Sequence, residues 1–161
     1  MSHEPRLTRA LRELLAARRT AALGTLDAIN GQPFVSMVPF APLPAQRALV
    51  LHVSGLAAHT RNLLARPAVS LMVMAAEIDG EPVHALARVT LEGAARPCER
   101  GSGDEAAARA AYLQRFPEAE PMTALDDFLF VLVTPAQARQ VAGFGAARTV
   151  DANELATVLG A

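Results

Sequence analysis

His59, Thr60, Arg61 and Asn62 stand side by side in GLAAHTRNLLARP (55–67), a segment otherwise made mostly of leucine, alanine and glycine. On a helical wheel His59 and Thr60 flank the direction set by Leu56 and Leu63, so they lean toward a core rather than into water. Ser54, closing the apolar run RALVLHVS, is a good N-cap, and the backbone N–H groups after a cap form a positive, donor-rich helix end. Such an end accepts a phosphate. Thr60 adds a hydroxyl, Arg61 a charged fork and His59 a ring N–H. The competing reading of the segment alone is a capped helix with solvated polar residues.

Other residues qualify more weakly. In FVSMVPF (34–40), Ser36 and Val38 share one face of a strand, and Val35 and Met37 share the other. A strand edge with one hydroxyl suits a planar heteroaromatic ring, although a lone serine is ordinarily satisfied by nearby backbone. Arg88, on a later strand, faces either a cofactor or a solvated edge. His52 and His84 fall on expected strands, where a lone histidine is more often packed than ligating. AGFGAAR (142–148) holds Phe144 and Gly145 but lacks GxGxxG spacing, so it reads as a tight turn. The single cysteine, Cys98, allows no internal disulfide and no metal-ligand spacing. His3 falls in a terminus expected to fray. No Ser/His/Asp order or carboxylate pair emerges, and no catalytic residue is assigned.

The elements that must position these groups follow from patterning. Leu7, Leu11, Leu14 and Leu15 recur at helical spacing, with Pro5 suited to a first turn, and predict an N-terminal helix within 1–18. TAALGTLD, FVSMVPF and RALVLHVS read as three strands of a meander, separated by the turn NGQP and the loop APLPAQ. After the polar helix, AVSLMVMAAEI reads as strand four and PVHALARVTLEGAARP as a long strand five. Ser102 and Glu105 form a capping box for an alanine-rich helix that stops before Pro117. FLFVLVT is an apolar strand, with ARQVAGF its partner across a turn at Pro135. Asp151 and Glu154 cap a C-terminal helix within 151–160. Six or seven strands without a strand–helix alternation predict a mainly β, α+β fold: an antiparallel barrel with peripheral helices.

Composition narrows the function classes. The chain has 161 residues, 52% hydrophobic and 19% charged, and is expected to form a single domain (1–161). Its net charge is −1 and only 4% of residues are aromatic, so neither a basic patch nor a stacking platform for nucleic acid is expected. No apolar run approaches the ~18 to 20 residues of a membrane span, and no signal peptide is evident. One free thiol suits a reducing compartment, and the expected location is cytoplasmic.

The ordered series GQPFVSMVPFAP, LVLHVSGLAAHTRNLLARPAVSLMV, ALARVTLEGAARP, YLQRFPEAE and DFLFVLVTPAQARQVAGFGAA resembles the flavin-binding split-barrel proteins related to pyridoxamine 5'-phosphate oxidase. Within them it looks most like the haem-utilisation branch, in which HTRNL and a late GFG recur together. The resemblance runs from about residue 20 to 158. It implies a six-stranded antiparallel split β-barrel, working as a homodimer with FMN at the subunit interface. The implied phosphate segment is Ser54, His59, Thr60, Arg61 and Asn62, and the implied ring-contacting strand is Ser36, Met37 and Val38. Many family members carry lysine where this chain has His59, a substitution found in the haem-utilisation branch. That branch also puts Phe144 and Gly145 near the cofactor.

An FMN-dependent oxidoreductase is therefore the leading expectation, with the redox chemistry supplied by the flavin. An alternative is haem binding or oxidative haem breakdown. A histidine is the natural iron ligand, and none follows residue 84. A further alternative is a dimer that binds or senses flavin without turnover.

Overall fold

Phe40 is the only residue between strands β2 (Pro33–Pro39) and β3 (Ala41–Leu43), and these strands form the two ends of one antiparallel sheet. A single residue spans less than about 3.6 Å, so this junction forces the ends of the sheet together. The remaining strands are β1 (Thr20–Leu26), β4 (Ala48–Ser54), β5 (Ala68–Met74), β6 (Arg88–Pro97), β7 (Phe128–Val141) and β8 (Ala147–Val150). Their order is β2-β1-β5-β6-β7-β4-β3, with β8 paired to β7. The result is a split barrel with helices around it, seen in a computed structural model that describes residues 4–161. His3 lies outside the described residues.

Among the described residues eight strands replace the six expected: parts of the expected loop APLPAQ and of the expected turn AGFGAAR are extended, while the two strands expected on either side of Pro135 are one. Part of APLPAQ forms β3, paired with β4 through Ala41↔Val50. The expected turn at Pro135 is absent, and β7 runs straight through it opposite β6. Proline lacks a ladder donor, and a register shift between Glu92 and Gly93 absorbs it, leaving Ala136 outside the pairing. Gly93 is required there: an added Cβ would stand 2.3 Å from the Thr134 carbonyl oxygen and 2.9 Å from Pro135 Cα. The partner of the second half of β7 is β8, reached through a turn at Gly143 and Gly145 with φ of 131° and 69°.

Helix α1 (Arg6–Ala17) turns Leu11 and Leu15 into the core, with Pro5 as its N-cap residue rather than in its first turn. Leucines and valines from β1, β4, β5, β6 and β7 fill the barrel, joined by Leu63 of α2 (Ala58–Ala65). Helix α3 (Gly103–Arg115), capped by Ser102 through Glu105 N–H as expected, packs Ala108 and Tyr112 over the other side of β4 and β7. Its C-terminal side is extended by the short α4 (Glu120–Thr123). Helix α5 (Ala152–Leu159), capped by Asp151, seals the barrel with Leu155 and Val158. Among the described residues, no helix is long and apolar enough to cross a membrane.

Candidate ligand-binding site

The polar turn begins where β4 ends, and Asp127 shapes it. Ser54 does not cap α2. Its hydroxyl donates to Asp127 Oδ2 at 3.0 Å and accepts from Leu56 N–H at 3.2 Å, while Gly55 N–H donates to the Asp127 carbonyl. The N-cap residue is Ala57, whose side chain accepts nothing. The N–H groups of Ala58 and His59 therefore open the helix without an acceptor among the described residues.

His59 Nδ1 lies 3.0 Å from Ser36 Oγ, bridging α2 to the edge strand β2, and partial burial pushes its imidazole toward the neutral form. Asn62 is spent within the protein: its Nδ2 donates to Thr25 Oγ1 and its Oδ1 accepts from Ala28 N–H, both at 3.0 Å. Thr60 is 0% exposed and its hydroxyl has no partner among the described residues. Arg61 is exposed beside Asp27, whose carboxyl is held down first by the Asn30 and Ile29 N–H groups and then by Arg61 and Arg66. The groups left to meet an anion are the Ala58 and His59 N–H donors and the Arg61 guanidinium.

The remaining expected residues lie elsewhere. Val38 points into the core, whereas Met37 and its neighbour Val35 are each 67% exposed on the outer face of the sheet. There Met37 faces Ala22 and Met72 in register, and Val35 faces Gly24 and Ser70. Arg88 sits at the start of β6 opposite Met74, donating through Nη1 to the Leu86 carbonyl at 2.9 Å. With Met72, Met74, Val83 and His84 it lines a groove of about 310 Å³. His84 is on a 3-10 turn (Val83–Ala85), not on a strand, because the chain between β5 and β6 leaves the sheet. Phe144, 75% exposed, tips the β7–β8 turn, where a Cβ on Gly143 would stand 4.0 Å from the Ala85 carbonyl oxygen.

Two clusters result, and one chain does not bring them together. Asn62 anchors the α2 turn to Thr25, near one end of β1 and on its inner face. Met74 and Arg88 lie at the other end of β1, level with Thr20, and on the outer face, about 17 Å away along five strand residues. His52 belongs to neither cluster, being 6% exposed among Phe128, Phe130 and Tyr112.

The family profile described as pyridoxamine 5'-phosphate oxidase matches residues 7–142. The chain belongs to the pyridoxamine 5'-phosphate oxidase family. Within that family it falls in the haem-utilisation branch. It is 33% identical over 151 residues to a Vibrio cholerae protein named heme oxygenase HutZ, covering 93% of this chain and 84% of that one. A heme binding protein from Mycobacterium smegmatis superposes with a TM-score of 0.85 at 31% identity, over 97% of this chain. The match spans 62% of the M. smegmatis chain, so that relative is considerably longer. The crystal structure of Vibrio cholerae HutZ, described there as a heme storage protein, gives a TM-score of 0.73 at 31% identity, over 81% of this chain and 91% of that one.

Family membership allows the cofactor to be tested against these residues. For a flavin phosphate, the uncapped α2 turn and Arg61 fit, while Ser54 and Asn62 are already engaged and Thr60 is sealed beneath the surface. For a flavin ring, Met37 is available but faces away from Ser36 and His59. For a haem, the outer groove offers an exposed imidazole, a guanidinium and thioether walls. Sequence reasoning passed over Asp127, Met72 and Met74. The two methionines were legible as an alternating pair in AVSLMVM, whereas nothing local marks Asp127.

Proposed function

We propose that this protein of the pyridoxamine 5'-phosphate oxidase family binds haem, as a homodimer whose outer sheet faces meet around the ligand. The observation that carries the reading is 33% identity, across 93% of the chain, with a protein named heme oxygenase. The outer-face groove supports it, because apolar walls beside a guanidinium suit a flat ring with carboxylate arms. The exposed apolar pair Val35 and Met37 supports the dimer, since patches of this kind mark association surfaces. Oxidative breakdown of the bound haem and simple storage both start from this complex, and breakdown needs oxygen and an electron donor.

Titration of the purified protein with haemin tests the reading, with a sharpened Soret band expected at one equivalent per chain. An unchanged haemin spectrum sinks it. Adding ascorbate in air then separates the two outcomes: breakdown bleaches the Soret band, and storage preserves it.

A second reading, FMN binding with oxidoreductase activity or with flavin storage alone, is favoured by the uncapped α2 turn beside Arg61. Quenching of FMN fluorescence on titration measures it. Replacing Arg61 by alanine is expected to weaken that binding about tenfold, equal to about 1.4 kcal/mol. Unquenched FMN at high protein concentration removes this reading.

A further inference from the structure

We infer that His84 supplies the iron ligand for a haem seated in the outer groove and that Arg88 receives one of its carboxylates. The assignment rests on the haem-binding reading above and adds the residues that would hold the ligand.

Four histidines are present in the chain, and the structure separates the three that it describes. His52 is walled in by Phe128, Phe130 and Tyr112 and cannot be reached by a ligand without dismantling α3 from the sheet. His59 is half-buried, has one ring nitrogen occupied by the Ser36 hydroxyl, and is not among the residues that line the groove. His84 is exposed, and its ring makes no hydrogen bond among the described residues. An iron ligand must be a neutral imidazole with a free lone pair and room for a macrocycle beside it. On geometry, His84 alone of the three is exposed, unengaged among the described residues and beside an apolar groove.

The surroundings of His84 point to the same ligand class. Met72 and Met74 stand on alternate positions of β5 and turn their polarisable thioethers outward, giving an adaptable wall for a flat apolar ring. Val83 and Leu86 complete that wall from the segment that carries His84. Glu77 borders the groove as well, the kind of group that accepts the second N–H of a metal-bound imidazole and fixes its orientation. Arg88, four residues beyond His84, has Nη1 held by backbone carbonyls at Leu86 and His84, which leaves its other N–H groups for a carboxylate. At about 310 Å³ the groove is at the small end of ligand sites, so it grips one side of a ring and leaves the other to the second subunit.

The test is a haemin titration of the 161-residue chain, followed by absorbance, for the unaltered protein and for His84→Ala, His59→Ala and Arg88→Ala. Circular dichroism checks that each variant is folded. Expected is a broadened, shifted Soret band and affinity lower by about tenfold or more for His84→Ala. Added imidazole should restore the native spectrum. His59→Ala is expected to keep the native spectrum, and Arg88→Ala to keep the band position while binding more weakly. A native spectrum and affinity in His84→Ala overturns the ligand assignment and leaves haem binding standing. Absence of any spectral change in the unaltered protein overturns haem binding itself, and the assignment with it.

Discussion

Asn62 Nδ2 donates to the Thr25 hydroxyl at 3.0 Å, and this buried bond ties helix α2 to strand β1. The same side chain accepts from Ala28 N–H, so one residue fixes both the helix and the turn after β1. An Asn62→Ala change strips partners from a buried hydroxyl and from a backbone donor, and is expected to cost about 1–3 kcal/mol. Thr25→Val removes only one side of the bond. Urea unfolding of both singles and the double variant should give a double cost smaller than the sum, since both changes break one interaction. Strictly additive costs would show that the bond does not couple the two elements.

Gly93 makes its own prediction, because its Cβ position is occupied by the Thr134 carbonyl oxygen. Alanine at this site cannot be absorbed by a flexible side chain, as every clashing atom is backbone. Gly93→Ala is expected to destabilise by about 2 kcal/mol or more through forced separation of β6 and β7. Thermal unfolding checks it, and an unchanged midpoint would mean that the bulge is more pliant than its geometry indicates.

That bulge also explains which parts of the fold were legible in the chain. The period-two pattern of FVSMVPF and AVSLMVM and the two capping boxes are local signals, and the elements form where they predict. Pro135 misled because a proline ordinarily ends a ladder, while the residue that accommodates it, Gly93, sits on a different strand. Ser54 misled in the same way: it has the chemistry of a cap, but its hydroxyl is taken by Asp127, 73 positions away. His84 reads as part of an alternating strand, yet Pro82 starts a 3-10 turn that takes it off the sheet. The polar turn was legible as a cluster. Which of its members are already engaged depends on Thr25, Ala28 and Asp127, and only the folded chain brings those into contact.

The outer face of β2 yields a prediction about assembly. Val35 and Met37 expose most of their surface, opposite the small residues Gly24 and Ala22. A face that is apolar at its centre and flat where glycine and alanine lie suits self-association. Met37→Glu places a charge in that contact and is expected to halve the solution mass toward the 17.0 kDa of one chain. Light scattering across a concentration series measures the change. An unaltered mass in both proteins would move the association surface away from β2.

His52 predicts an acid-sensitive stability. Its ring lies 4.5 Å from the Phe130 ring centre, 5.0 Å from Phe128 and 5.5 Å from Tyr112. Burial, and then the positive charge of Arg109, push its pKa from 6.5 to about 4. The folded protein therefore holds the neutral imidazole, while the unfolded chain protonates near its ordinary value of about 6.5. Stability from this group is fully present above that value and is lost as pH falls toward 4. Between about pH 7.5 and about pH 5 the loss amounts to about 2 kcal/mol. Carboxylates titrate in part of the same range, so the informative quantity is a difference. Urea midpoints of the unaltered protein should fall more steeply over this interval than those of His52→Leu, which retains an apolar group of similar size. Parallel curves would mean that protonation of His52 is not what weakens the fold in acid.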